Sequence, residues 1–408
     1  MRTFLKIAWR NIIRSKWRSL ITIAAIAFGL AALIFIRAFV EGADRTMIEN
    51  YTDLIPGHLQ IHKIGFHKKM GLERSILAPE KLIEVIKAEP EVVNVTRRIK
   101  DYCLVSSSEH SSGVLLMGID PSTEPQVSYL HKRIRHGEYL SKDKDDQIIL
   151  GKVLAEILNV ELGDKVVIMG QAADGSLASG AYRLCGILDT GAEEIDKTVA
   201  LITLKAAQQL LVMEGKISEL TLRIESVYNA ADVSQKLKAK IDTKEFEVLT
   251  WKEISPLTAQ WLEFDRAFIN YILFIVLLVV ASGIFNTLLM SVLERIREFG
   301  IMLALGTKRI QIVLMVALES LILGVIGSAL GVTIGVAVSL YFGSRGVNLG
   351  KFASALENYY TGSIIYPRLY LDYVVGFSLI VLITSVLVSF YPAWRAANLK
   401  PVEAIKHF

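Results

Sequence analysis

Four long apolar runs constrain this chain more than anything else in it. Leu20–Ile36, continued by apolar residues to Val40, is the first; Ala267–Leu293, Ile310–Phe342 and Tyr373–Trp394 follow. A helix needs about 20 such residues to cross a bilayer, so each run reads as a membrane span. The second and fourth carry no charge, and Glu319 alone interrupts the third. The first run exceeds the apolar core of about 7–15 residues in a signal peptide, and no small-x-small cleavage site follows it cleanly, so it reads as a retained span. Composition agrees: 52% of the residues are hydrophobic, against about 45–50% in soluble chains.

Charge is distributed unevenly. Residues 41–266 hold 28 Lys+Arg and 35 Asp+Glu, a net of −7, whereas the remainder holds 17 and 6, a net of +11. Basic residues split among the flanks of apolar runs do not form a nucleic-acid surface, so no nucleic-acid partner is expected. Nine prolines and 28 glycines without long polar tracts exclude a largely disordered chain. Near the span ends, Arg2, Lys6, Arg10, Arg14, Lys16, Arg18, Arg295, Arg297, Lys308, Arg309, Arg395, Lys400 and Lys406 oppose only Arg345, Lys351 and Arg368. Positive residues stay inside, which places both termini in the cytoplasm and the acidic 41–266 block outside.

Residues 1–19 also carry an amphipathic stripe of Phe4, Leu5, Ala8, Trp9, Ile12 and Ile13, suited to the inner membrane face. Within the outer block, HLQIHK, YCLVSS, GVLLMGI, DQIILG, DKVVIMG, YRLCGIL, VALITL and ELTLRIES read as strands. Pro79–Ala88, Lys152–Leu158, Leu204–Leu211 and Asp232–Ile241 read as helices. The expectation is α+β with mixed sheets, neither a barrel nor a solenoid. Gln171–Ala181, rich in Gly, Ser and Ala, suits a hairpin tip. Cys103 and Cys185 are either one bridge or two buried thiols. If span one stays helical to about Leu54, and Pro256–Arg266 extends span two, both overshoot a hydrocarbon core of about 30 Å and act as stalks.

No catalytic constellation emerges. GxxxxGK[ST], HExxH, paired CxxC and GxSxG are absent, and Gly300–Lys308 has the wrong spacing for a phosphate loop. His58 and His62 share one face of a strand, with His67 nearby, but no carboxylate or Cys completes a metal pattern. Asp145–Asp146 and Glu193–Glu194 read as solvated loop charges. Catalytic residues, metal and cofactor on this chain are therefore expected to be none.

The polar strip between spans two and three is the most informative segment: Glu294, Arg295, Arg297 and Glu298, then Phe299–Leu305, then Gly306 as a helix stop before Lys308 and Arg309. It reads as a short amphipathic helix, with charges on one face and Ile301, Leu303 and Leu305 for docking. On this strip, on FLKIAWRNIIRSKWRSLITIAAIAFG and on YPAWRAANLKPVEAIKHF, the chain resembles the permeases of the MacB/FtsX/LolC–LolE superfamily of ABC transporters. In the outer block, GHLQIHKIGF, LLMGIDPSTEPQV, GEYL, IILGKVLAEILNVELGDKVVI, GILDTGAEEIDKTVALITLKAAQQLL and ELTLRIE resemble specifically the lipoprotein-releasing, LolC/LolE type.

The resemblance implies four transmembrane helices plus a large extracytoplasmic α+β domain, a MacB-like periplasmic core domain, on helical stalks. It implies a cytoplasmic helix (1–19), span one (20–40), a stalk (41–56), the periplasmic domain (57–250) and a second stalk (251–266). Span two (267–293), the coupling helix (294–309), span three (310–342), a periplasmic loop (343–372), span four (373–394) and a cytoplasmic tail (395–408) complete the order. In the superfamily the strip is a coupling helix that seats in an ATPase, which implies contact through Glu294, Arg295, Arg297, Glu298, Phe299, Gly300, Leu303, Leu305, Gly306, Lys308 and Arg309.

The implied partners are two copies of a separate ABC ATPase that binds ATP and Mg, a second permease (identical or homologous), the bacterial inner membrane, and a lipoprotein or other amphiphilic substrate. The implied activity is ATP-driven extraction of that substrate from the outer leaflet by mechanotransmission. MacB-like efflux of a drug or peptide and FtsX-like activation of a periplasmic hydrolase are the alternatives. A periplasmic chaperone is the weakest implied partner, because the hairpin offers only Leu177, with Tyr182 beside it, as an apolar grip. A lipid-anchored substrate entering sideways would meet Phe35, Phe39 and Val40 of one subunit and Phe268, Tyr271, Ile272 and Ile275 of the other. Gly327, Gly331 and Gly335, four residues apart, leave one face of span three open to a close neighbour. Glu319 either contacts a headgroup or the partner subunit, or lies near the cytoplasmic interface.

Overall fold

The computed structural model describes residues 2–352 and 364–398, with side chains described from Ala8 onward and not at Phe352. The side chains of Arg2, Phe4, Leu5 and Lys6, loop residues 353–363, and the tail from 399 with Lys400 and Lys406 lie outside the described residues. The chain divides into two compact units. The first comprises Met1–Asp44, Leu262–Leu349 and Ile364–Phe408, and the second Arg45–Trp261 and Gly350–Ser363.

The helices of the first unit follow from the apolar runs. They are α1 (Arg2–Arg14) and α2 (Lys16–Leu54) as far as Asp44, later joined by the long apolar helices that begin at Pro256 (from Leu262 on), Arg309 and Leu371. The helices of the second unit are α3 (Glu80–Lys87), α4 (Lys152–Leu158), α5 (Glu193–Thr198), α6 (Leu204–Leu210), α7 (Ala230–Lys240) and α8 (Trp251–Ile254). Then come α9 (Pro256–Glu294), α10 (Ile296–Ala304), α11 (Arg309–Arg345) and α12 (Leu371–Ala397). Four of these, α2, α9, α11 and α12, are long and apolar enough to cross a membrane.

Both α2 and α9 run 39 residues unbroken, or about 58 Å. The second expected stalk starts later than 251. Trp251–Ile254 is a separate turn of helix closed by a capping box between Thr250 and Glu253, and α9 opens at Pro256, where proline's missing N–H costs nothing. At the other bend, between α1 and α2, the Ser15 hydroxyl donates to the Asn11 carbonyl at 3.1 Å and the Ser19 hydroxyl to that of Ile12 at 2.9 Å.

Close packing holds the first unit. A Cβ on Gly327 would fall 2.7 Å from Ile26, one on Gly331 2.9 Å from the Ala27 carbonyl oxygen and Leu30, and one on Gly335 3.0 Å from Ala31. The neighbour that this glycine face admits is therefore α2 of the same chain. On another side of α2, Gly29 meets Val280 of α9. Ser320 of α11 donates to the Ser385 carbonyl of α12 at 2.7 Å. Ile26, Leu30, Leu33 and Ile34 share a core with Leu273, Val280, Ile284 and Leu288 of α9 and with Val374 and Val381 of α12.

The second unit is built on strands β1 (Leu59–Lys63), β2 (Ile76–Leu77), β3 (Val92–Ser106), β4 (Ser111–Ile119), β5 (Ile134–Gly137), β6 (Gln147–Gly151), β7 (Lys165–Gln171), β8 (Leu177–Leu188), β9 (Val199–Thr203), β10 (Lys216–Ile217), β11 (Glu219–Ile224) and β12 (Phe246–Thr250). Ten of them form one sheet in the order β12-β1-β11-β3-β4-β9-β6-β8-β5, with β7 bridging β3 and β8. The sheet is mixed, as expected, but the reading that excluded a barrel needs correction: β3, β4, β9, β6, β8 and β7 pair round into a closed circuit, four contacts antiparallel and two parallel. Closure depends on two strands long enough to change partners. The 15-residue β3 meets β4 on one edge and, on the other, passes from β11 to β7. The 12-residue β8 passes from β7 to β6. Val105, Val114, Leu116, Ile148, Val166, Ile168, Leu184 and Ile202 are among the buried side chains of the resulting core.

Beside that core sits a buried charge cluster. Arg98, fully buried, donates to both Glu124 carboxylate oxygens at 2.5 and 3.0 Å, and Lys100 lies 2.7 Å from Glu219. Burial pushes the Glu219 carboxyl up, but Lys100, His62 and Arg98 outweigh it and hold the group well below the usual carboxylate range. His62 is drawn into this cluster, 2.9 Å from the Gln60 oxygen, while the His58 ring nitrogen Nδ1 accepts from the Ile224 N–H at 3.2 Å. Cys103 and Cys185 are free thiols, pushed up to about 12 and about 11 by burial. Glu193 and Glu194 lie on α5 rather than on a loop, and Asp145 pairs with Lys205 at 2.5 Å.

Gly331→Leu tests the helix seam. Overpacking costs about 1–3 kcal/mol, so the detergent-solubilised chain should unfold at a clearly lower temperature; an unchanged midpoint would mean that α2 and α11 are not in close contact.

Candidate functional site

The strip between α9 and α11 is built from the break of one helix and the start of another. α9 ends at Glu294, and Arg295, with φ −107° and ψ 15°, turns the chain into α10. α10 stops where Gly306 takes φ +92°, a conformation that costs a residue with a Cβ. Thr307 N–H reaches the Met302 carbonyl and Gly306 N–H that of Leu303, both at 3.0 Å. These bonds satisfy carbonyls that the helix end leaves open.

α10 has two faces with different roles. Phe299 is fully buried and Gly300 is buried with it. Phe299 packs with Val292, Ile312, Met315, Val316, Ala393 and Ala396, and Met302 and Leu303 join that cluster half-buried. Phe299 and Gly300 are therefore covered by the chain itself, and of the three apolar residues read as docking residues only Leu303 is drawn into this packing. On the opposite face Arg297 is exposed, Ile301 is 44% exposed and Leu305 82% exposed. Spaced by four, these three share one side of the helix.

The charges divide likewise. Glu294 pairs with Arg18. Glu298 accepts from Arg14 at 2.8 Å and from Arg295 at 3.0 Å. Partial burial pushes the Glu298 carboxyl up, but Arg295 and then Arg14 outweigh it and hold it below the ordinary range. Arg295 also reaches Glu319 at 3.1 Å. So Glu294, Arg295 and Glu298 serve contacts within the chain, and Arg297 is left as the outward cation of α10. Lys308 and Arg309 do not belong to α10: Lys308 caps α11, and Arg309, its first residue, donates to Asn398 at 3.1 Å.

Glu319 is buried, and its carboxylate is held by Arg295 at the break between α9 and α10, which fits the alternative of a place near the membrane interface rather than a headgroup or partner-subunit contact. In α1, Ala8 and Ile12 are buried while Trp9 and Ile13 are about half exposed, so the apolar stripe is split between packing and surface.

The expected substrate wall is only partly open. Phe268, Tyr271 and Ile275 on α9 are 53%, 69% and 58% exposed, and Ile272 is half-buried. On α2, Val40 is buried, and Phe35 packs on Phe342 of α11 with ring centres 5.8 Å apart, with Phe39 half-buried beside it. Val40 and Phe35 are thus occupied by helix packing. At the hairpin between β7 and β8, Leu177 is 82% exposed, but Tyr182 is buried. Tyr182 therefore cannot serve as a grip.

Phe299 and Arg295 thus tie α10 to α11, while Arg297, Ile301 and Leu305 remain on its open side. Phe299→Ala should cost about 3–5 kcal/mol, whereas Leu305→Ala, at an exposed position, should stay within about 0.5 kcal/mol. Thermal unfolding of the two variants checks this; equal effects would contradict the two-faced helix.

Comparison with known proteins agrees with the order of elements. Residues 19–240 match the family described as the MacB-like periplasmic core domain, and residues 270–401 match the FtsX-like permease C-terminal family. The lipoprotein-releasing system transmembrane protein LolC of Xylella fastidiosa is 21% identical over 95% of this chain and 94% of its own length. LolC of Neisseria meningitidis is 24% identical over the same shares. The macrolide export ATP-binding/permease protein MacB of Shewanella oneidensis is 25% identical over 98% of this chain and 60% of its own length. With one family spanning more than half the chain and the second covering three of its four long apolar helices, the chain belongs to the MacB/FtsX/LolC–LolE superfamily of ABC transporter permeases.

Proposed function

We propose that this chain is the membrane subunit of an ATP-driven machine that extracts a lipoprotein, or another lipid-anchored substrate, from the outer leaflet of the inner membrane. What carries this reading is the division of α10: one face is bolted into the first unit through Phe299, and the other presents Arg297, Ile301 and Leu305 to a partner. The partner is a separate ABC ATPase in two copies, which binds ATP and Mg. A second permease completes an eight-span assembly. The 13-to-three bias of basic residues supports a cytoplasmic position for α1, α10 and both termini.

Likeness to LolC over nearly the full length of both chains supports lipoprotein as the cargo class. The exposed aromatic and branched side chains of α9 supply apolar area for acyl chains. A photocrosslinker at Tyr271, in the chain reconstituted with its ATPase and an acylated peptide, should label cargo several-fold more than one at Leu387, an exposed position on α12. Equal labelling at the two positions would mean that the substrate enters elsewhere, and labelling by a free macrolide in place of the acylated peptide would favour drug efflux.

A further inference from the structure

Arg295 stands at the one break between α9 and α10, and its guanidinium does three things there. Its Nε donates to Glu298 at 3.0 Å, its Nη1 donates to Glu319 at 3.1 Å, and its plane lies 5.0 Å from the centre of the Phe299 ring. Glu298 and Phe299 belong to α10, and Glu319 belongs to α11. One side chain thus ties Glu298 and Phe299 of the short helix to a carboxylate whose own side chain is only 7% exposed.

A carboxylate buried in an apolar span is costly unless paired, so Glu319 is a fixed anchor rather than an optional contact. The planar fork of arginine makes two directed bonds at once, which a lysine ammonium at the same site does not reproduce with that geometry. By contrast, Arg14 is 76% exposed in its pair with Glu298 and contributes little positional restraint.

We propose that Arg295 is the positioning residue for energy coupling: acting through Glu319, it fixes the seat of α10 on the spans, and it does not itself touch the ATPase. The proposal rests on the ATPase-partner reading above and deepens it by separating the residue that holds the helix from the residues that meet the partner.

The test has two readouts. In the isolated full-length permease, Arg295→Met and Glu319→Gln should each speed hydrogen exchange of the Ile296–Ala304 amides about tenfold, and the double variant should be no worse than the stronger single one, because both remove the same restraint. In the complex, both variants should keep the ATPase at the wild-type ratio while permease-stimulated ATP hydrolysis falls about tenfold. Arg297→Glu should instead shed the ATPase and leave α10 exchange unchanged. Arg295→Lys, which keeps a charge beside Glu319, should be intermediate in both readouts.

Additive exchange effects, unchanged exchange in Arg295→Met, or loss of the ATPase from Arg295→Met would each overturn the proposal. Glu319→Gln keeps the outcome decisive if Arg295→Met fails to fold. If no ATPase copurifies even with the wild-type chain, the partner reading fails while the exchange measurement still decides whether Arg295 sets the helix.

Discussion

Lipid tails are as apolar as leucine, so the helices of the first unit gain little from hiding apolar surface and depend on close packing and a few polar pairs. The seam of Gly327, Gly331 and Gly335 against α2 supplies the packing. It brings the two backbones near enough that no side chain fits at Gly331 without moving Ala27 or Leu30. Once α2 and α11 are fixed in this way, Glu319 comes to rest beside the end of α9, and Arg295 has a carboxylate to hold. The seating of α10 is a consequence of that seam.

The second unit solves a different problem. A closed circuit of six strands gives each member a neighbour on both sides and so shortens the free edge that an open sheet would present to solvent. Its charged cluster of Arg98, Glu124, Lys100 and Glu219 is fully internal, so its carboxylates and cations satisfy one another. Removing one partner from such a cluster leaves an unpaired buried charge, whereas its net contribution as a whole is modest.

Much of this was legible in the sequence, and the exceptions have physical causes. Hydropathy alone located the four long helices, and the Gly306 stop followed from glycine's access to positive φ. The closed circuit was not legible because strand patterns report which face is buried, not which neighbour a long strand meets; β3 and β8 change partners along their length. Phe299 and Gly300 were read as partner contacts because the resemblance carries over the whole strip without saying whether the chain or a partner covers each residue. Val40 and Tyr182 are likewise covered by the chain. The Arg295–Glu319 bond had a faint signal: Glu319 is the one acidic residue in an apolar run, and a buried carboxylate demands a cation, but a separation of 24 residues hid which one.

The central claim is that the outward face of α10 is where an ATPase delivers its work. A photocrosslinker placed at Leu305 in native membranes, with the same probe at Leu177 on the outer hairpin as reference, tests it most directly. The account predicts an adduct with a nucleotide-binding subunit from Leu305 and none from Leu177. An adduct from Leu177 alone, or none from Leu305 in membranes that contain the ATPase, would contradict both the sidedness of the chain and the role of α10.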